Sequence, residues 1–180
     1  MPGMSGDDEH DANHARFADR LAIHETVLRY CRAVDRGDLA AIRPLYTVDG
    51  HDHHTGFDGS ADDFVRWLGT KLPQFDGTMH LVGNHLVEFA GDDEAVAETY
   101  GTAVHWGTPR DDAARNFTSG FRYVDRFRRE GGSWRIAHRT AVREWTRSDA
   151  GRLLEPEGHG PRGTRGPDDP LRDARRILPD

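Results

Sequence analysis

The chain has little that would tie it to a membrane, to nucleic acid or to an oxidising compartment. Cys31 is its single cysteine, so no internal disulfide can form. Lying in an apolar stripe, it is expected to be a reduced, buried thiol in a cytoplasmic protein. No apolar run approaches the roughly 18 residues that read as a bilayer span, and the N-terminus lacks a signal-peptide core. Positive charge is in deficit. Against 24 Lys and Arg stand 31 Asp and Glu, a net charge of −7, which argues against a phosphate-backbone partner. Neither an H-E-x-x-H pattern nor a cysteine pair is present. What remains is 36% hydrophobic residues and four Trp, enough for a core. The mean hydropathy of −0.78 implies a large solvated surface. At 180 residues the expectation is one domain with tails.

The polar, acidic stretch 1–16 reads as a disordered leader. From Phe17 the pattern becomes helical. Ile23, Val27, Tyr30 and Val34 recur at helical spacing, and Leu21, Leu28 and Cys31 widen the same stripe. Asp35 lies one turn beyond Cys31, so its carboxylate is turned toward the apolar side, and Gly37 stops the helix. A carboxylate facing a core needs a partner, because an unpaired buried charge is expensive. Asp38 caps a short second helix, 39–46, with Pro44 as an irregularity. The segment 48–57 is an edge strand or irregular. Ser60-Ala-Asp-Asp63 resembles a capping box for a third helix with Phe64, Trp67 and Leu68 on its apolar face.

Long strands follow at 78–89, 95–106, 116–127 and 134–145, joined by the turn Gly91-Asp-Asp93 and the connection Arg128–Ser133. Helices first and a mostly antiparallel sheet afterwards is the α+β pattern. A long helix on a curved sheet would enclose a cone-shaped cavity with Asp35 near its mouth or base. The segment 148–180 is rich in Pro, Gly and balanced charge. It reads as a flexible tail, with a short helix at 171–177 and a lid or subunit contact as the alternative.

Several residues suit acid–base chemistry. His80 opens the first long strand and His105 comes late in the second. In that second strand the row Ala95, Ala97, Thr99, Gly101, Ala103 is small until it reaches His105. Such a face leaves room for a ligand or a closely packed helix. The opposite row, Val96, Tyr100, Val104 and Trp106, is bulkier and would pack. Taken singly, a strand histidine is more often structural, Tyr30 would be ordinary helix packing and Arg143 an exposed sheet charge. The run His51-Asp-His-His54 invites a metal reading. Alternation offers only His51 and His53 on one face and leaves further ligands undefined, so His54 or His53 directed into the pocket is the preferred expectation.

Three motifs together resemble the NTF2-like superfamily, and within it the SnoaL-like branch: Arg29-Tyr-Cys-Arg-Ala-Val-Asp-Arg-Gly-Asp38, Thr78-Met-His-Leu-Val-Gly83, and Gly132-Ser-Trp-Arg-Ile136 followed by a last strand. The resemblance covers residues 17–147. It is strongest to the lyases of that branch, of the scytalone dehydratase, bile acid 7α-dehydratase and hexachlorocyclohexane dehydrochlorinase types. It implies a cone-shaped α+β fold with N-terminal helices on a strongly curved sheet. It also implies that Asp35 and His80 form the catalytic pair, with His105 and Tyr30 as catalytic partners. Substrate contacts would come from Arg143 and from Phe121, Tyr123, His54 and Trp67 of the pocket. Where scytalone dehydratase has a Tyr, this chain has the His51–His54 run. Phe121 and Tyr123 replace that enzyme's pocket Ser and Asn, so scytalone itself is not the expected substrate. The resemblance further implies a small hydrophobic substrate and a homo-oligomer, a trimer favoured and a dimer possible.

The chemistry can be argued on its own. Removing water from the carbon beside a carbonyl needs a base for an acidic C–H and an acid for the departing hydroxyl, and imidazole suits both near neutrality. A carboxylate on the far ring nitrogen fixes the tautomer, and no cofactor or metal is needed. A polyketide cyclase, an isomerase of the ketosteroid type and a non-catalytic ligand-binding module are the alternatives.

Overall fold

In the computed structural model, residues 6–107, 116–148, 163–165 and 169–170 are described. A 31-residue helix α1 (Gly6–Arg36) is followed by α2 (Leu39–Ile42) and a 3-10 turn at Arg43–Leu45. Then come β1 (Tyr46–His54), β2 (Phe57–Ser60) and α3 (Ala61–Lys71), with a second 3-10 turn at Leu72–Gln74. Four long strands complete the chain: β3 (Gly77–Phe89), β4 (Glu94–Trp106), β5 (Phe117–Glu130) and β6 (Ser133–Ser148). The six strands run in the order β2-β1-β6-β5-β4-β3. All neighbours are antiparallel except β1 and β6, which are parallel. This is the expected α+β architecture, with helices packed on a curved, mostly antiparallel sheet.

The helix begins well before Phe17, so residues 6–16 are helical rather than a disordered leader. Its extension has tertiary support: Arg16 pairs with Asp92 at 2.9 Å and stacks on Phe89. The buried stripe is narrower than expected. Ile23, Val27, Tyr30, Cys31, Ala33 and Val34 are buried, whereas Leu21 and Leu28 are exposed, because at 100° per residue they fall on the far side of the helix from Ile23. Burial pushes the Cys31 thiol up to about 12, so it stays protonated. Gly37 ends the helix at φ +64°, a left-handed conformation that favours glycine. Its N–H reaches Val34 O at 3.0 Å, and the Asp38 N–H reaches Ala33 O at 2.8 Å. Asp38 caps Ala41 and Ser60 caps Asp63, as expected of their positions.

Register shifts between strands decide which side chains enter the concave face. The β3–β4 register shifts between Val82 and His85. His80 and Val82 therefore point inward before the shift, and His85, Val87 and Phe89 after it, despite the change of parity. A second shift lies in the β5–β6 pairing, between Arg126 and Phe127. On β6 it lets Trp134 and Ile136 face inward and then Arg139, Ala141 and Arg143. The small row of β4 does face inward: Ala95, Ala97, Thr99 and Ala103 are buried. Its opening is used by a neighbour, since a Cβ on Gly101 would lie 2.4 Å from the Phe121 ring. The opposite row is the outer face of the sheet, where Val96 and Tyr100 are exposed rather than packed.

The core contains a complete ion pair. Arg139 and Asp125 are both fully buried and bonded twice, at 2.8 and 2.6 Å. The guanidinium carbon also lies 4.2 Å from the Tyr30 ring centroid and 3.9 Å from that of Tyr123. Asp125→Ala should therefore cost about 3–5 kcal/mol by stranding the cation, while replacing both residues with Leu should cost less than the single change. Urea unfolding of the two variants checks the ordering.

Candidate active site

Asp35 stands in the last turn of α1, where the helix dipole disfavours a negative charge. Donors from β3 hold it there. The His80 backbone N–H donates to Oδ2 at 2.9 Å, the Thr78 hydroxyl to Oδ1 at 3.1 Å, and His80 Nδ1 lies 2.6 Å from Oδ1. With a carboxylate acceptor on Nδ1, the proton sits on that nitrogen and Nε2 carries the lone pair. His80 Nε2 makes no hydrogen bond among the described residues, and the side chain is 8% exposed. The ring is thus oriented from behind, with its other nitrogen unbonded among the described residues.

His105 meets His80 edge to face, with ring centroids 6.0 Å apart. Its ring stacks on Phe117 at 4.2 Å and touches Phe75 at 5.1 Å, edge to face. Burial first, and the neighbouring His80 second, push its pKa down to about 4, so it is neutral at physiological pH and donates no charged proton. Phe121 lies 5.9 Å from the His80 ring and 4.5 Å from Tyr123, continuing an aromatic wall away from the pair. Tyr30 meets Tyr123 at 5.7 Å and Tyr46 at 6.4 Å, deep beneath that wall. Burial holds all three tyrosines well above the ordinary phenol range. Arg143 lies opposite Phe121 on β6, exposed and with no polar partner among the described residues. Trp67 stands apart from the dyad, in a cluster with Phe57 at 5.5 Å and Phe64 at 5.9 Å. The site so assembled joins Asp35, His80, His105, Phe121 and Tyr123, with Arg143 at its open end.

The His51–His54 run divides by strand alternation. His53 is exposed, and His51 bonds Asp58 and stacks flat on His138. His54 turns inward, stacks on Phe64 and bonds the fully buried Asp52 through Nδ1. No group of three or more His, Cys, Asp or Glu with metal-holding geometry occurs among the described residues.

Three features escape a reading of the sequence. Arg139 would face outward if β6 alternated without its bulge. Tyr46 reads as the end of a helix, yet opens β1 and donates to Asp52 at 2.5 Å. Arg165, in the charged C-terminal segment, donates to Leu72 O at 2.8 Å, to Phe75 O at 3.0 Å and to the Thr78 hydroxyl at 3.3 Å. Nearby, Asp169 pairs with Arg36 at 3.3 Å. That segment therefore supports Thr78, a donor to Asp35, on the face of β3 that carries His80. The possible helix at 171–177 lies outside the described residues. No helix among them is long and apolar enough to cross a membrane.

The model of the SnoaL-like domain matches residues 15–140, and the chain belongs to that family, part of the NTF2-like superfamily. An uncharacterized protein of Mycobacterium tuberculosis (strain H37Rv) and one of Mycobacterium bovis are each 27% identical over 133 residues, 72% of this chain and 88% of theirs. Among solved structures, a putative scytalone dehydratase from Novosphingobium aromaticivorans superposes with a TM-score of 0.69 at 19% identity, covering 82% of this chain and 99% of that one. A type 3 hexachlorocyclohexane dehydrochlorinase from Novosphingobium barchaimii superposes with a TM-score of 0.66 at 18% identity, covering 80% and 99%. At these identities the likeness shows the shared fold.

Two measurements test the site's electrostatics. His85, like His105, is pushed by burial to about 4, below the ordinary 6.5. Between those values the unfolded chain binds more protons than the folded one. The stability the two histidines contribute is therefore complete above about 6.5 and lost as pH falls toward 4. His105→Phe should reduce that loss, as read by urea unfolding at pH 7 and at pH 4.5. Arg165→Ala should cost about 1 kcal/mol for its lost hydrogen bonds and speed amide exchange across residues 75–80.

Proposed function

We propose that this SnoaL-like protein is a cofactor-independent lyase that eliminates water from a hydroxylated, ring-bearing carbonyl compound of polyketide, steroid or terpenoid type. The observation that carries the reading is the 2.6 Å bond from His80 Nδ1 to Asp35, with the opposite nitrogen unoccupied beside an aromatic wall. His80 Nε2 takes the proton from the carbon next to the carbonyl. Asp35 stabilises the imidazolium that results, and the same proton is then available for the departing hydroxyl. The C–H and C–O bonds break, a C=C bond forms, and water leaves. Neutral His105 assists only as a hydrogen-bonding neighbour. Arg143, a cation with no partner among the described residues, faces the negative charge that develops on the carbonyl oxygen. Phe121 and Tyr123 provide an apolar seat for the ring, while buried Tyr30 supports that wall from below.

A second reading is a ring-closing cyclase or a ketosteroid-type isomerase built on the same pair. The low proton affinity of His105 favours it, since neither reaction needs a second acid to expel hydroxide. On either reading residues 17–147 are the catalytic domain and 148–180 an appended segment. Self-association would use the outer sheet face, where Met79, Leu81, Leu86, Val96 and Tyr100 are exposed.

The test uses 3-hydroxy-1-tetralone, whose dehydration and tautomerisation give fluorescent 1-naphthol. The protein should release naphthol faster than buffer does, and His80→Ala and Asp35→Asn should each lower kcat by about 10²–10⁴-fold. Binding of the tetralone without turnover would turn the reading to a ligand-binding module.

A further inference from the structure

The concave face holds a second histidine built like His80. His54 also bonds an aspartate through Nδ1, and its side chain is 19% exposed. Nε2 makes no hydrogen bond among the described residues. Its partner Asp52 is fully buried and receives the Tyr46 hydroxyl at 2.5 Å as well. A carboxylate so enclosed cannot relax toward water, so it holds the imidazole in one tautomer, lone pair outward. The ring is seated flat on Phe64 at 4.8 Å and lies 6.1 Å from Tyr123. Tyr123 in turn meets Phe121, whose ring faces His80. One aromatic wall thus carries an oriented imidazole at each end.

A histidine present only to neutralise Asp52 would be expected to use its second nitrogen on the protein or to lie in bulk solvent, and His54 does neither. The charged groups around His54 are engaged with one another. Arg139 lies fully buried next to Tyr123, and its Nη1 has no hydrogen-bond partner among the described residues. Asp125 and Asp52 are the carboxylates of this region, and both are already engaged, by Arg139 and by Tyr46 with His54.

We infer that His54 and Asp52 form a second acid–base pair that takes the proton of a phenolic hydroxyl on the distal ring of a fused-ring substrate. The inference rests on the His80 site accepting a ring-bearing carbonyl compound. In the step, the phenol O–H bond breaks, its electron pair stays on oxygen, and a bond from His54 Nε2 to the proton forms. Asp52 stabilises the imidazolium, and the proton returns when the ligand leaves. The substrate class narrows to bicyclic or larger phenols whose hydroxyl and reacting carbonyl lie at opposite ends.

The experiment compares binding of 6-hydroxy-1-tetralone and 1-tetralone, followed by fluorescence quenching and by the absorbance of the bound phenol at pH 7. The wild-type protein should bind the phenol about tenfold or more tightly than 1-tetralone and show the red-shifted phenolate band. His54→Gln should lose both the preference and the band while keeping its affinity for 1-tetralone. His54→Phe preserves the stack on Phe64 and repeats the test should the glutamine variant fail to fold. His80→Ala should keep the preference and the band, so a failure of the lyase reading is seen separately, in naphthol release. Equal affinity of the wild type for both ligands, or a phenolate band that survives in the His54 variants, overturns the inference.

Discussion

A carboxylate at the C-terminal end of a helix is held there only if donors come to it. Asp35 meets the negative end of the α1 dipole, and three donors from the start of β3 offset that cost. The requirement is mutual. Those donors exist in this place only when β3 lies across the end of α1, so the bond that orients His80 also fixes the helix on the sheet. Gly37 follows at once and turns the chain away. Arg165 then braces the same corner, holding the carbonyls of Leu72 and Phe75 and the hydroxyl of Thr78.

Beneath the aromatic wall the protein spends charge where an apolar core would have served for stability alone. Arg139, Asp125 and Asp52 are fully buried. Each buried carboxylate is bonded at both oxygens, Asp125 by Arg139 and Asp52 by Tyr46 and His54. Partners so complete make the network rigid. Burial keeps Tyr30, Tyr46 and Tyr123 as neutral rings, Tyr46 donates to Asp52, and the network lies beneath an apolar wall. His80 and His54 are thus presented by carboxylates, whereas His105, lacking one, is kept neutral by burial. Environment, not residue type, separates their capacities.

Much of this was legible from local pattern. Helix α3 with its Ser60 cap, the four long strands, the stop at Gly37 and the inward row of β4 follow from periods of 3.6 and 2 and from turn chemistry. The Asp35–His80 pair was legible too, through the phase of Asp35 in its helix and the resemblance of the flanking motifs. Arg139 was not, because a single-residue bulge in β6 reverses its face and leaves no mark that alternation can register. Tyr46 was misassigned to a helix because Pro44 sits within a 3-10 turn there, and β1 begins immediately afterwards. Arg165 was hidden for a different reason. A segment rich in Pro, Gly and charge carries no periodicity, and its contacts are with carbonyls far away in the chain.

The amino-acid sequence by itself determined the sequence of helices and long strands, the lengths of the long strands and of α3 within a few residues and the type of chemistry available, since propensity, capping and hydrophobic period act between near neighbours. It also set the family to which the chain belongs. The tertiary structure alone decided which of the histidines face the concave side, which carboxylate stands behind each of them, and which are held neutral. Those outcomes depend on strand register, bulges and burial. The pairing of His80 with Asp35 joins residues 45 positions apart, and even His54 and Asp52, two residues apart, face the concave side only because the strand is placed so.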